Sequence, residues 1–223
     1  MLIPIGDDNS RRQTVPFVTW LLIATNVLVF FIELASGDDF LAKFAVLPAR
    51  LFSGASSPIT LVTSLFLHGG WSHILGNMLY LAIFGDNVED NVGHFKYLIF
   101  YLLCGVASTL AMASTIPDSM VPNLGASGAI SGVMAGYLIL FPRNRVRILM
   151  FYSVISVRAW VVLGLWIGTQ VLSSYIDLYN PEIGAHGGVA YMAHVGGFAM
   201  GILLIFLLRR PIPPLPDEME SYA

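Results

Sequence analysis

The sequence predicts an all-α, polytopic membrane protein built as a six-helix bundle. Of its 223 residues, 56% are hydrophobic and only 11% are charged, and the mean hydropathy is +0.74. A soluble domain carries roughly a quarter charged residues, so this composition excludes a disordered chain and argues against a water-soluble globule. Six stretches without charged residues are long enough to cross a membrane, since one span needs ~20 mostly apolar residues. These stretches are 13–32, 51–85, 97–117, 119–142, 159–176 and 183–208.

Each uncharged stretch is predicted to hold one transmembrane helix. The first is longer than the apolar core of a signal peptide and has no clear small-residue cleavage site, so it is interpreted as a retained helix. A long loop follows, with an amphipathic segment at 40–52 that suits the membrane interface. The predicted helices, in chain order, are 16–35, 70–89, 95–114, 127–141, 157–178 and 189–208.

The positive charges predict that both termini lie in the cytoplasm. With that orientation, nine of the eleven Lys and Arg residues fall on the cytoplasmic side, as the positive-inside rule favours. The chain then divides into a cytoplasmic N-terminal segment (1–15), one transmembrane domain (16–208) and a flexible, proline-rich cytoplasmic tail (209–223). We expect a multi-pass protein of the plasma or inner membrane. The net charge of −3 gives no basis for binding nucleic acid.

The fourth predicted helix is too short to span the bilayer. It follows a loop at 122–126 and stops before Pro142, which leaves about 15 residues and ~22 Å against a hydrocarbon core of ~30 Å. Its first residue, Ser127, is therefore expected inside the membrane, ~21 Å from the cytoplasmic end. Non-helical backbone at that depth must be buried in protein or line a wet cavity.

Three other polar side chains are predicted at nearly the same depth. His194 on the sixth helix and His73 on the second lie ~22 Å and ~20 Å from the cytoplasmic ends of their helices, and Asn77 lies one turn from His73. Small residues at four-residue spacing on the fourth and sixth helices allow their backbones to approach closely. Because polar groups inside a membrane are costly, such a layer indicates a functional site.

The pairing of Ser127 with His194 is typical of nucleophilic catalysis, because a neutral imidazole can take the proton of a serine hydroxyl. The helix N-terminus at Ser127, together with His73 and Asn77, offers donors for the oxyanion of an acyl intermediate. No carboxylate is expected at this depth, so the pattern predicts a dyad rather than a triad. Ser131, one turn deeper, is an alternative nucleophile that lacks the helix-terminal N–H groups.

Four motifs resemble those of the rhomboid intramembrane serine proteases. They are Gly125-Ala126-Ser127-Gly128, His73-x-x-x-Asn77, Ala193-His194-Val195-Gly196-Gly197 and Gly85-x-x-x-Glu89-x-x-x-Gly93. Each motif alone is weak evidence for the family, but all four in this order and on these helices are strong evidence. The resemblance extends over residues 15–208.

The resemblance implies a six-helix rhomboid-like fold and a serine endopeptidase that cleaves transmembrane-helix substrates near the outer membrane surface through an acyl-enzyme. It implies Ser127 as the nucleophile, His194 as the general base, and His73, Asn77 and the Ser127 N–H as the oxyanion hole. It implies no cofactor and no metal, and its partners are the substrate helix and membrane lipid. Rhomboids often have an aromatic residue four positions after the nucleophile, packed on the catalytic imidazole; here that position is Ser131.

Other functions stay open at this point. A non-catalytic rhomboid-like protein would bind transmembrane helices, although such proteins have generally lost the serine or the histidine. A small polytopic transporter also fits six helices with an internal polar layer, but no inverted repeat is visible. A metal site of His68, His73 and His194 would lack the His-Glu-x-x-His pair.

We expect a structural or water-binding role for His68. A gate for substrate, by resemblance, is expected near the second and fifth helices and the loop 183–189.

Overall fold

A bundle of six long helices, with a small sheet at one end, makes up the part of the chain described by the computed structural model, residues 2–179 and 189–211. The long helices are α1 (Phe17–Ser36), α2 (Trp71–Val92), α3 (His94–Thr115), α4 (Ser127–Leu140), α5 (Ala159–Tyr179) and α6 (Tyr191–Leu208). The strands are β1 (Leu2–Gly6), β2 (Arg145–Met150) and β3 (Ser153–Arg158). Short helical turns at Asp38–Phe44, Pro48–Phe52, Thr60–Thr63 and Ser64–Phe66 lie between α1 and α2. Most of the predicted loop 183–189 and of the tail 209–223 lies outside the described residues.

The predicted helical membrane bundle is confirmed, and every long helix begins and ends within three residues of its predicted bounds. The helices α1, α3, α5 and α6 are long and apolar enough to cross a membrane. As predicted, α4 is shorter, with 14 residues. The 22 residues of α2 include several polar ones that lower its mean hydropathy, among them His73, Asn77, Asp86 and Glu89.

The three-stranded sheet is an addition to the predicted all-α fold. Strand β2 pairs antiparallel with both β1 and β3, so the N-terminal segment is tied to the hairpin between α4 and α5. Val146 and Ile148 are buried while Arg145 and Arg147 are exposed, which is the alternation expected of a half-buried strand. The fifth helix was predicted from residue 157, but β3 continues to Arg158 and the helix begins one residue later.

Helix α4 lies at the centre of the bundle, where eleven of its 14 residues are buried. Its backbone packs directly on that of α6. A Cβ added at Gly197 would overlap the carbonyl oxygen of Gly128, and one added at Gly201 would overlap that of Gly132. Glycine at these positions therefore brings the two helices together without side chains between them.

The N-terminus of α1 is fixed by a buried carboxylate of α2. Glu89 accepts the backbone N–H groups of Val18 at 2.8 Å and Thr19 at 2.7 Å, and also the Thr19 hydroxyl at 2.6 Å. The first N–H groups of a helix have no partner within the helix, and a negative charge there is favoured by the helix dipole. Glu89 thereby joins α1 to the helix that carries His73 and Asn77.

The loop before α4 is held by backbone hydrogen bonds to the segment between α1 and α2. The N–H of Asn123 donates to the carbonyl of Val46 at 2.7 Å, and the N–H of Val46 returns a bond of 3.1 Å to Asn123. The N–H of Gly125 donates to the carbonyl of Ser64 at 2.9 Å. These bonds satisfy backbone groups that water would otherwise have to solvate, and they place the start of α4.

Candidate active site

Ser127, the first residue of α4, lies within hydrogen-bond distance of His194 on α6. The distance from Ser127 Oγ to His194 Nε2 is 2.9 Å. Two residues earlier, Gly125 has a φ of +122°, a conformation that favours glycine. A Cβ at Gly125 would also lie 2.8 Å from Nε2 of His73. Glycine at this position therefore allows the chain to turn into α4 with the His73 imidazole beside it.

Both ring nitrogens of His194 have a partner. Nδ1 lies 2.7 Å from Oε1 of Gln170 on α5, while Nε2 faces Ser127. One turn before Gln170, the Trp166 indole packs beside the imidazole, with ring centroids 5.5 Å apart and planes inclined by 35°. Neither Gln170 nor Trp166 is among the residues predicted from the sequence. The available signal was a polar amide in the uncharged stretch 159–176, since polar groups are costly inside a membrane.

His73 and Asn77 lie one turn apart on α2 and face the same cavity as Ser127. Nδ1 of His73 accepts the backbone N–H of Gly69 at 3.3 Å, which leaves the proton on Nε2, beside Gly125. The side-chain nitrogen of Asn77 is buried and donates to no group in the described part of the chain. Each side chain therefore has an N–H group that finds no acceptor within residues 2–179 and 189–211.

The cavity that joins these side chains has a volume of about 760 Å³. It opens among α2, α4, α5 and α6 at the end of the bundle opposite the sheet. Its walls, in the part of the chain described, contain no carboxylate. The lining residues are Gly69, Ser72, His73, Gly76, Asn77, Tyr80, Pro122, Asn123, Leu124, Ser127, Ile130, Met134, Trp166, Val189, Ala190 and His194.

Ser131, the alternative nucleophile, has its hydroxyl engaged elsewhere. It is completely buried and donates a hydrogen bond of 2.6 Å to the backbone carbonyl of His194. It does not line the cavity. Its position one turn below Ser127 thus serves the contact between α4 and α6 near the histidine.

His68 is fully buried behind His73, with ring centroids 5.1 Å apart. Its backbone N–H donates to a carboxylate oxygen of Glu33 at 3.0 Å. Glu33 is buried near the end of α1, so the expectation of no carboxylate at this depth is wrong. Within 2–179 and 189–211, no three His, Cys, Asp or Glu residues are grouped to hold a metal ion.

Comparison with known proteins identifies one family. The family model described as Rhomboid domain matches residues 55–211. Rhomboid-like protein 11, chloroplastic, from Arabidopsis thaliana is 25% identical over 208 residues, which cover 91% of this chain and 69% of that protein. The putative rhomboid protease YdcA of Bacillus subtilis is 28% identical over 194 residues, or 86% of this chain and 88% of that protein.

A further relative, rhomboid protease GluP of Bacillus subtilis, is 30% identical over 185 residues that cover 81% of this chain but only 35% of that protein. RHOMBOID-like protein 4 of Arabidopsis thaliana is likewise longer, and 55% of it is covered. Two of these four relatives are named as proteases. With a domain match over most of its length and four helices able to cross a membrane, the chain is an integral membrane protein and belongs to the rhomboid family.

Proposed function

We propose that this chain is an intramembrane serine endopeptidase that cleaves transmembrane-helix substrates by a Ser127–His194 dyad. The observation that carries the proposal is the 2.9 Å contact between Ser127 Oγ and His194 Nε2 at the wall of the cavity. A serine hydroxyl becomes an effective nucleophile when a positioned base removes its proton. The protease names of two relatives support the same reaction class.

The reaction begins with attack of Ser127 Oγ on the carbonyl carbon of the scissile peptide, while its proton passes to Nε2 of His194. The tetrahedral intermediate then breaks its C–N bond, and His194 returns the proton to the leaving amine. The remaining acyl-enzyme is an ester on Ser127. A water molecule, deprotonated by His194, then attacks the ester carbonyl. The bond from that carbon to Ser127 Oγ breaks, His194 returns the proton to Oγ, and the new carboxyl end is released.

The unused N–H groups support an assignment of the oxyanion hole to His73, Asn77 and the backbone of Ser127. Asn77 has a buried side-chain nitrogen with no partner in the part of the chain that the structure describes, and His73 carries its proton on the nitrogen beside Gly125. Ser127 begins α4, so its backbone N–H is free of intrahelical bonds. An oxyanion formed near Ser127 would satisfy donors that otherwise stay unpaired, which favours the transition state over the substrate.

The position of the cavity supports cleavage near the outer membrane surface. The positive charges favour cytoplasmic termini, and with that orientation the sheet that contains β1 would lie on the cytoplasmic side. The cavity opens at the opposite end, beside residues of the 122–124 loop and the start of α6. In this orientation a multi-pass protein of the plasma or inner membrane meets its substrate helix in the outer leaflet, with lipid as its surroundings.

A cleavage assay tests the proposal. The protein is purified in detergent and incubated with a single-span reporter whose outer end carries small residues. We expect cleavage by the natural sequence, and none by Ser127→Ala or His194→Ala. Ser114→Ala is the matched control, because this serine is exposed on α3 and its hydroxyl bonds to the carbonyl of Ala111 in its own helix. Full cleavage by Ser127→Ala would refute the assignment and make Ser131→Ala the next variant.

A further inference from the structure

The imidazole of His194 is not held by the side chain one turn after Ser127. That residue, Ser131, has a small side chain that bonds to the His194 backbone and not to its ring. The ring is instead contacted from α5, by the indole of Trp166 and the amide of Gln170. These two residues are four positions apart, so they share one face of the helix.

We infer that Gln170 and Trp166 are positioning residues for the catalytic base, with Gln170 fixing the tautomer of His194 and Trp166 packing beside the ring. This inference rests on the proposed dyad. It adds that residues of α5 orient the catalytic histidine, as the third residue does in a triad.

An amide oxygen only accepts hydrogen bonds, so its contact at 2.7 Å with Nδ1 requires the proton of the neutral ring to be on Nδ1. Nε2 then has its lone pair directed at the Ser127 hydroxyl, as a general base requires. With the other tautomer, Nε2 would carry the proton and could not receive one from Ser127. The contact with Gln170 therefore selects the active form of the ring.

The orientation of the Gln170 amide is itself determined by its neighbours. Its side-chain nitrogen donates to the Thr169 hydroxyl at 3.2 Å, and that hydroxyl donates to the carbonyl of Trp166 at 2.6 Å. A flipped amide would present its nitrogen to Nδ1 and its oxygen to Thr169. The chain of bonds from Trp166 through Thr169 thus keeps the oxygen of Gln170 on the histidine.

A neutral amide suits the position of Gln170, because a charged side chain buried beside His194 would be costly. Gln170 and His194 are each 8% exposed as residues, and a buried carboxylate in an apolar helix would lose its hydration. The amide provides the hydrogen bond that orients the ring without that loss. It gives less electrostatic support to the imidazolium than a carboxylate would, so the effect of removing it should be smaller than for a triad aspartate.

Kinetics of three Gln170 variants test the inference. Gln170→Leu keeps the volume and removes the acceptor, Gln170→Asn withdraws the acceptor by one methylene, and Gln170→Glu retains it. We expect Gln170→Leu and Gln170→Asn to lower kcat roughly 10- to 100-fold, with KM changed less than about twofold. This loss is smaller than the ~10⁴-fold typical when the triad carboxylate is replaced. Gln170→Glu keeps the acceptor and should retain most of the activity, but with a lower Tm because its carboxylate is buried. The exposed Val171→Ala on the same helix is the control and should behave as the natural sequence.

A spectroscopic readout separates tautomer selection from packing. With ¹⁵N-labelled histidine, the His194 signals, assigned by their loss in His194→Ala, should show a protonated Nδ1 in the natural sequence and a mixture of tautomers in Gln170→Leu. An unchanged tautomer in a folded Gln170→Leu, with or without loss of activity, would overturn the inference. This measurement does not depend on turnover. Its failure is therefore distinct from failure of the dyad, which would appear as cleavage by Ser127→Ala.

The role of Trp166 has its own comparison. Trp166→Phe keeps an aromatic face beside the imidazole and should retain most of the activity, whereas Trp166→Ala should lower kcat. If both residues act through His194, the combined Trp166→Ala and Gln170→Leu variant should lose less than the product of the two single losses. Losses that multiply fully would show that the two residues do not act on the same ring.

Discussion

The hydroxyl of Tyr137 donates a hydrogen bond of 2.6 Å to Oδ2 of Asp7, joining the N-terminal segment to the end of α4 remote from Ser127. The side-chain nitrogen of Asn87 donates to the same oxygen at 2.8 Å. Burial raises the pKa of Asp7 from 3.8 to about 7, although the bond from Tyr137 acts in the opposite direction. The helix that begins at the candidate nucleophile thus ends at a carboxyl group that titrates near neutral pH.

This raised pKa predicts a stability that falls with rising pH. Between pH 3.8 and about 7 the folded protein holds a proton on Asp7 that the unfolded chain has released, so the stabilising contribution is complete below this window and is lost as pH rises through it. We expect Tm in detergent to be lower at pH 8 than at pH 5. Asp7→Asn should reduce that difference, because it keeps an acceptor for Tyr137 without the charge.

The matched control for Asp7 is its neighbour. Asp8 is exposed, and a backbone hydrogen bond from Ser10 lowers its pKa. Asp8→Asn should therefore leave the decrease in Tm between pH 5 and pH 8 unchanged. A pH profile of Tm that is the same in Asp7→Asn as in the natural sequence would contradict the assignment.

Glu89 is expected to be a major determinant of stability. Glu89→Ala removes the acceptor of two buried N–H groups and of the Thr19 hydroxyl, at a cost of about 1–3 kcal/mol for each donor left unpaired. Thermal unfolding in detergent measures the loss. Asp90→Asn is the comparison, since Asp90 accepts bonds from Gln13 and Thr14 at an exposed site and should matter much less. Equal effects of the two variants would show that burial of the Glu89 contacts does not determine their strength.

The contact between α4 and α6 predicts opposite outcomes for two glycine substitutions. Gly197→Ala forces a methyl group into the Gly128 carbonyl, and overpacking of this kind costs about 1–3 kcal/mol. Gly164→Ala on α5 meets no atom within 4 Å, so it should be neutral or stabilise the helix by about 0.5–1 kcal/mol. Both are measured as shifts in Tm. A fully stable Gly197→Ala would mean that the two backbones are not in close contact.

Asn77 is predicted to act on the transition state and not on substrate binding. Asn77→Ala removes the unpaired donor in the cavity and should lower kcat by about 10²–10³, with little change in KM. Because this buried nitrogen bonds to no described residue, its removal should leave Tm equal or higher. A rise in KM at constant kcat would instead assign Asn77 to substrate binding.

The sequence predicts the helices well because charges, prolines and glycines bound each apolar run. It also predicts that Ser127 and His194 lie close together, since the depth of each residue in the membrane can be counted from the cytoplasmic end of its helix. The sheet was missed because β1 and its partner β2 are distant in the chain, and the alternation in 145–150 was interpreted only as positive charge near the membrane.

The partners of His194 were missed for a different reason. Gln170 and Trp166 meet the histidine only through the packing of α5 on α6, and periodicity does not give the rotation of one helix against another. The sequence does not predict a buried Glu33, because an acidic residue near the end of an apolar helix is usually solvated. Its bond to the His68 backbone depends on a loop whose path the sequence does not determine.

Covalent labelling tests the central claim most directly. The purified protein is treated with a fluorophosphonate, which reacts with activated serine hydroxyls, and the modified residue is identified by peptide mass spectrometry. We predict a single adduct on Ser127, absent in Ser127→Ala and strongly reduced in His194→Ala, with labelling and loss of reporter cleavage proceeding at the same rate. An adduct on Ser131 or another serine, or cleavage that persists after complete labelling of Ser127, would contradict the Ser127–His194 dyad.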